Sequence, residues 1–506
     1  MVLSLYLTPL SCTAPMDYLF GIFAHKQKGL LVVFLFYTLT HIFFLNLPPK
    51  GNHVWRQCHT STVARNFAEE SMNILRPRID NRGKSDGVTG MPFPSFEYTV
   101  ALISKVFGYH EAFNRIVAFF YFGLGIWYFY ALLFFLFKDY TVSFCGAWAF
   151  TFSPILYYHS ITALPDVVAL SASIAGLYYF LVWNESKKYL LLVLSLLFLT
   201  LAGMTKLQYL AIGFPIAVVV ISSFIQKKYS PLDLILLTLF GLIVVGAALV
   251  WYDYALYMID VSGLKDFGIS FKPAKSFTKA LDILSKNIYT HFTEQLINIP
   301  NLIPFFMALY WLVKGNLVNK EILWMFIVWA AGLFAYHIIE LHQMEEHMYY
   351  MFPYLPGIFL VTAKGYELLV EKKKRWLVLL ILISLPIIAF AGTFHNFLNE
   401  NKSLPKDFYN QEQRQAIDDL IPDDALCIVG PDYSWTIYHY FTHTKGSTFR
   451  WPREFTERWL KKKIRKNSTY LIWDKRNPMP EFAKPYLAKR LDYNGTDLEI
   501  YALKKY

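Results

Sequence analysis

Apolar residues fall in blocks of roughly twenty along most of the chain, the length an α-helix needs to cross a hydrocarbon core of about 30 Å. The blocks predict about eleven membrane spans, at 29–47, 115–137, 141–158, 166–183, 189–205, 207–225, 231–252, 301–313, 322–340, 349–363 and 376–396. Three stretches break the pattern: residues 48–114, residues 253–300 and the tail from about 397 to 506. The tail has the rhythm of a small α/β domain. A helical stretch near 410–420 precedes an apolar run from Ala425 to Gly430, a second helix over 453–465 precedes Thr469 to Trp473, and Leu498 to Leu503 reads as a further strand. The expected fold class is therefore an all-α polytopic membrane protein carrying a small C-terminal α/β domain outside the membrane. Its expected parts are residues 1–28, a cytoplasmic N-terminus; 29–396, a transmembrane domain with outer loops 48–114 and 253–300; and 397–506, the extracytoplasmic domain.

Composition agrees: 506 residues with 55% hydrophobic, 18% aromatic and only 17% charged side chains exclude an ordinary soluble protein. A net charge of +11 raises the question of a nucleic-acid partner, and the placement of the charges answers it. With a cytoplasmic N-terminus, fourteen basic residues fall in short inner loops: Lys26, Lys28, Lys138, Lys187, Lys188, Lys227, Lys228, Lys314, Lys320, Lys364, Lys372, Lys373, Lys374 and Arg375. The short outer loops hold only Lys206. These charges set orientation in a plasma (inner) membrane rather than bind nucleic acid. The first 25 residues lack Lys and Arg, unlike a signal peptide, and Met1 and Met16 are both possible starts. Cys12, Cys58, Cys145 and Cys427 are widely spaced and form no CxxC, so neither a metal knuckle nor a disulfide framework is indicated.

The first outer loop is too long for a connector and rich in Arg, His and aromatic residues, which marks it as functional. Thr60 to Met72 is helix-compatible, with Val63, Phe67 and Met72 on one side, and predicts an amphipathic helix along the membrane surface. Arg56, Arg65, Arg76, Arg78 and Arg82 would then stand at headgroup level, where guanidinium groups suit a phosphorylated lipid or simply anchor the loop to anionic headgroups. Lys206 opposes the charge rule and is a second candidate phosphate ligand, with snorkelling as the plainer explanation. His342, Glu346 and His347 invite a metal reading, but no HExxH or comparable ligand spacing is present, and no metal or other cofactor is expected. There is no DxD motif and no cytoplasmic domain, which argues against an enzyme using a metal-bound nucleotide sugar.

The run WRQCHTSTVARNF, followed by PRIDNRG, MPFPSFEY and FGYHEAFNRI, resembles the first outer loop of bacterial GT-C glycosyltransferases. These are relatives of protein O-mannosyltransferases and of the aminoarabinose transferase that modifies lipid A. ALPDVVAL at the fourth span and EHMYYMFPYLPG entering the tenth fit the same pattern. The resemblance implies a GT-C fold and transfer of a sugar from a polyprenyl-phosphate carrier to a lipid, glycan or protein acceptor on the outer face. It implies an acidic general base in the first loop and basic groups on the leaving phosphate. His347, Tyr349 and Tyr350 would shape the donor pocket beside Arg56, Gln57, Arg65, Arg78, Arg82 and Lys206. This chain departs from its relatives at the base. His59 stands where they often carry Asp, and Pro92-Phe93-Pro94 stands where some carry Glu-Lys-Pro or Glu-x-Pro. The candidates for the base are His59, Asp80, Glu97 and Asp166. The rival readings are a transporter or flippase of lipid-linked glycans, an O-antigen-type polymerase and an inactive binder. Spans nearly free of charge, with polar groups gathered on one face, favour the surface enzyme over the transporter.

The charge asymmetry gives a direct test. A reporter that works only outside the cytoplasm should be active when fused after Asn399 and silent after Lys228; reversed signals would overturn the orientation.

Overall fold

The computed structural model describes residues 14–265, 271–314, 320–398 and 403–504; Met1, Cys12 and Asn399 lie outside them. Seven helices are long and apolar enough to cross a membrane: Lys26–Phe44, Ala112–Phe137, Asp166–Ser186, Leu207–Ile225, Pro231–Ser262, Ile322–Ile339 and Arg375–Leu398. A bent pair, Phe277–Leu296 and Ile299–Val313, meets at 101° and makes up to eight. The expectation of about eleven spans is not reached by this measure among the described residues. The difference lies in helices that break near their ends. Tyr140–Thr151 stops before Pro154, which opens a separate short helix to His159. Tyr189–Thr205 has 17 residues, and Leu355–Glu371 is preceded by a 3₁₀ stretch, Met348–Tyr354, that contains Pro353. Proline removes an i→i−4 hydrogen bond and forces such breaks.

Asp166–Ser186 is the central helix, with 83% of its apolar window buried, whereas Pro231–Ser262 stands at the edge with 22%. Glycine permits the closest crossing. A Cβ on Gly365 would lie 1.8 Å from the Pro304 carbonyl oxygen, so only glycine lets Leu302–Val313 rest on Leu355–Glu371 at this distance. The Pro231–Ser262 helix is bounded by clear local signals. Ser230 accepts from Asp233 N–H while Asp233 accepts from Ser230 N–H, and Gly263 ends the helix at φ 70°.

The first-loop helix runs Val54–Glu69, and fourteen of its sixteen residues are buried. The amphipathic surface helix expected over Thr60–Met72 is not what forms. Val54 and Cys58 enter the core of the C-terminal domain, Val63 and Phe67 pack on Ile79, Met91 and Ala101 of the same loop, and Ala64 joins Phe96 and Val100 in the bundle core. A helix covered on every side has no reason to show a polar stripe; of its buried polar residues Arg65 and Asn66 find Asp80, while the Thr60, Ser61 and Thr62 hydroxyls have no partner among the described residues.

The C-terminal domain is a five-stranded sheet of order β2-β1-β3-β5-β4, with β1 Leu426–Gly430, β2 Lys445–Thr448, β3 Ser468–Asp474, β4 Leu487–Arg490 and β5 Leu498–Leu503. β1 pairs in parallel with β2 and β3, while β5 runs antiparallel to β3 and β4. Side chains alternate across it as strand geometry requires. Cys427, Val429 and Ile472 face Gln411–Leu420, Ile437–Phe441 and the first-loop helix; Ile428, Leu471 and Trp473 face Glu457–Arg465.

Ion pairs join this domain to the first loop. Arg65 donates to Asp80 at 2.8 Å and to the Tyr440 carbonyl at 3.2 Å, and Asn66 donates to the other Asp80 oxygen at 2.9 Å. Glu70 receives Arg82 and Lys445, the latter at 2.8 Å, and Arg414 meets Glu111 at 2.7 Å. Gly446 N–H donates to the Asp80 carbonyl, and Gly83 N–H to that of Gly446, so the loop backbone lies against β2. Removing one member of a buried pair typically costs about 3–5 kcal/mol, because the other charge is left uncompensated. Arg65→Ala should therefore lower the unfolding midpoint in detergent sharply, and Arg65→Met with Asp80→Leu should lower it less. A single substitution as mild as the double would show that the pair does not hold the loop in its folded shape.

Candidate active site

Where the first loop, three turns of the bundle and the C-terminal domain meet, they enclose a cavity of about 500 Å³. The first-loop helix contributes Trp55, Arg56 and His59, and the sheet domain closes the far side with Tyr433, Ser434, Trp435, Thr436 and Arg450. Lys206, Lys272, His347, Tyr349 and Tyr350 come from the turns between. Four cationic side chains, Arg56, Lys206, Lys272 and Arg450, thus line one space against a single carboxylate, Glu346, whose side chain is largely exposed.

Lys206 reaches the cavity because its helix stops one residue earlier. Tyr189–Thr205 ends, Lys206 is extended at φ −157° and ψ 121°, and a 3₁₀ turn, Leu207–Ile212, follows. Its ammonium lies 3.0 Å from Asp166 Oδ2 and over the Tyr349 and Tyr350 rings, at 5.1 and 4.7 Å. Asp166 opens the central helix, is fully buried and also accepts from Tyr209 Oη at 3.2 Å. The Pro92-Phe93-Pro94 segment is tied to the same turn. Phe93 N–H donates to the Met204 carbonyl at 3.0 Å, and Ser95 Oγ meets Thr205 Oγ1 at 3.1 Å. Pro94 precedes the helix Ser95–Phe107, which places Glu97 in its first turn.

Glu97 is fully buried, and among the described residues no other residue donates a hydrogen bond to either carboxylate oxygen. Burial pushes its pKa up from 4.5 to about 7, with Asp166 adding to the rise and with Arg56 and Lys206 opposing it. Those influences put Glu97, Arg56, Lys206 and Asp166 in one electrostatic neighbourhood. His59 lines the cavity, its Nδ1 3.3 Å from the Arg56 guanidinium. His347 sits among His53, Trp55 and Tyr349, with ring centroids 5.5–5.6 Å away. Burial lowers the pKa of His53 to about 4 and of His347 to about 3, so both rings are neutral at neutral pH and serve as packing surfaces.

The structure thus brings together Arg56, His59, Lys206, His347, Tyr349 and Tyr350 around the cavity, with Asp166 and Glu97 behind them. It places Gln57, Arg65, Arg78, Arg82 and Asp80 elsewhere. Gln57 donates to the Lys50 and Asn52 carbonyls, Arg65 is engaged by Asp80, and Arg78 and Arg82 by Glu70. Arg76 pairs with Asp86 at 3.2 Å on the exposed side of the loop. His342 lies 3.6 Å from Glu345, and among the described residues no group of three or more His, Cys, Asp or Glu could hold a metal ion. Sequence reasoning missed Lys272, Trp435 and Arg450. Arg450 stacks over Trp435 at 4.6 Å, and Trp435 holds a left-handed backbone at φ 66°, a conformation that costs a non-glycine residue about 1–3 kcal/mol and that collects at functional sites.

No family model matches the chain, and no curated protein matches its sequence. Solved structures do match its fold. ArnT from Cupriavidus metallidurans in the apo state superposes with a TM-score of 0.64 at 10% identity, covering 97% of this chain and 98% of that one. The same protein bound to undecaprenyl phosphate gives 0.63 at 10% identity and the same coverage. The Archaeoglobus fulgidus oligosaccharyltransferase, in complex with zinc and sulfate, gives 0.52 at 14% identity over 88% of this chain and 68% of that one. The class is therefore a multi-pass membrane protein of GT-C fold. Within that class, the arrangement from first span to terminal sheet is ArnT-like.

Glu97 supplies a test of the site's electrostatics. An acid whose pKa rises on folding favours the folded state while protonated, and that stability is lost as pH climbs from 4.5 through about 7. A shift of this size corresponds to about 3 kcal/mol. Glu97→Gln, which never ionises, should melt well above the wild type at pH 8 and level with it near pH 4.5. A pH-independent difference would refute the buried-acid assignment.

Proposed function

We propose that this protein is a glycosyltransferase that takes a sugar from a polyprenyl-phosphate carrier and transfers it to an acceptor hydroxyl on the extracytoplasmic face of a plasma (inner) membrane. The observation that carries the reading is the cavity lined by Arg56, Lys206, Lys272 and Arg450, at the end of the bundle where the first loop and the C-terminal domain meet. A cationic cavity next to lipid suits a lipid phosphate. The undecaprenyl phosphate bound to ArnT, whose fold this chain shares, supports that identity.

In the proposed reaction the acceptor oxygen forms a new bond to the anomeric carbon as the bond from that carbon to the phosphate oxygen breaks. The electron pair leaves with the polyprenyl phosphate, and the cations offset the charge gathering on it. The acceptor proton goes to a base. Of the four candidates, His59 alone lines the cavity, and imidazole accepts protons near neutral pH. Glu97 is the second reading, favoured by its raised pKa and by oxygens that no other described residue satisfies. Asp166 orients Lys206, and Asp80 holds the loop.

With purified protein in nanodiscs, sugar transfer from a polyprenyl-phosphate sugar should proceed without any nucleotide sugar and in the presence of chelator. His59→Ala should slow turnover about 10²–10⁴-fold with donor binding nearly unchanged, and His59→Asp should recover part of the rate. Strict dependence on a nucleotide sugar would sink the reading. A silent His59→Ala beside an inactive Glu97→Gln would move the base to Glu97.

A further inference from the structure

A second cavity, of about 510 Å³, lies on the other side of Trp435, which lines both. Its basic walls come from three parts of the chain: Lys84 of the first loop, Lys265 beyond the long peripheral helix, and Lys463 and Lys466 at the end of Glu457–Arg465. Arg82 also lines it, but its guanidinium is taken by Glu70. Among the described residues, no carboxylate lies within ion-pair distance of the four lysines. Lys463 is half-buried, donates to Ser447 Oγ at 2.9 Å and lies over the Trp459 ring at 5.0 Å. Burial and the neighbouring Lys466 and Lys462 push its pKa down, as expected of an ammonium held without a counter-charge. Hydroxyls of Ser85, Ser447 and Thr448 complete the lining. Clustered ammonium groups and hydroxyls without a carboxylate form a receptor for an oxyanion.

The height of this cavity bears on the source of that oxyanion. Ser262 and Lys265 line it at the end of a 32-residue helix, Pro231–Ser262, which is roughly 48 Å long at 1.5 Å per residue. Set against about 40–45 Å for a bilayer with both of its headgroup layers, a helix of that length ends at or a few ångströms beyond the headgroups. A group carried on a glycan reaches that height.

We propose that this second cavity is the subsite for an oxyanion carried by the acceptor glycan, which is seated there while its reacting hydroxyl passes Trp435 into the donor cavity. Naming the ligand an acceptor rests on the glycosyltransferase reading; the anion site itself does not. The experiment is calorimetry of the full chain in phosphatidylcholine nanodiscs, with glucose 6-phosphate as probe and glucose as control. Glucose 6-phosphate should bind saturably and glucose should not. Lys463→Ala should raise the dissociation constant at least tenfold, and so should Lys84→Ala with Lys265→Ala, in which both side chains are exposed and the fold is spared. Arg56→Ala, in the donor cavity, should leave this binding in place. Absence of binding, binding unaffected by the lysine variants, or loss only in Arg56→Ala would overturn the proposal. Turnover of a polyprenyl-phosphate sugar, measured on the same samples, separates the two readings: an enzyme inactive on the donor that still binds glucose 6-phosphate through these lysines leaves the anion site standing and removes the glycosyltransferase.

Discussion

Lys206 and Asp166 stand 3.0 Å apart at the inner wall of the cavity, the lysine nearly buried and the aspartate fully so. A charge so far from water costs several kcal/mol unless it is paired, and each of these two is held in place by the other. The consequences spread outward. The pair fixes the start of the central helix against the break after Thr205, and that break aims the ammonium at Tyr349 and Tyr350. Phe93 and Ser95 bond to the two residues before Lys206, so the start of the Glu97 helix takes its position from the same turn. Arg56 and His59 complete the wall from the first-loop helix. The geometry of the proposed donor cavity therefore depends on one ion pair, set between the start of the central helix and the break after Thr205.

Much of the architecture was legible because the membrane imposes strong rules on sequence. Apolar blocks, basic loops and the lone Lys206 follow from the cost of carrying charge through lipid. The terminal domain was legible in outline: Gln411–Leu420, β1, β3 and β5 lie where periodicity placed them, while the short strands β2 and β4 carried too little pattern to show. The first-loop helix was misread for a physical reason. Amphipathic periodicity reports one buried face, and Val54–Glu69 is buried on nearly all of its surface, with Arg56 and His59 turned into the cavity. Composition does not distinguish these cases, because an arginine destined for Asp80 and one destined for a phosphate are the same residue.

That ambiguity sorts the arginines. Guanidinium groups were read as phosphate ligands, yet Arg65, Arg76, Arg78 and Arg82 each meet a carboxylate of the same loop. They hold a long, irregular segment in one shape, which a loop of this length otherwise lacks. Arg56 is the loop arginine that lines the proposed donor cavity, and its cationic companions, Lys206, Lys272 and Arg450, come from distant parts of the chain. No local motif announces Lys272 or Arg450, since their role exists only once the chain has folded.

The C-terminal domain bears on specificity through this same assembly. Its Ile437–Phe441 helix packs on Val54 and Cys58, and its Tyr440 carbonyl receives Arg65, so the domain cannot shift without disturbing the helix that carries Arg56 and His59. It also supplies Trp435, the partition between the donor cavity and the lysine-lined cavity above it. Trp435 is held left-handed beside Asp432, which accepts from Ser434 N–H and Oγ and so fixes the turn. A rigid partition between two cationic spaces sets the distance between the groups they hold. In the reaction proposed above, an acceptor anchored on the lysine side would present its hydroxyl to the donor at a fixed reach, and proximity of that kind is what a transfer between two bound substrates requires. The C-terminal domain is thus a wall of both cavities, and the bundle alone would leave them open.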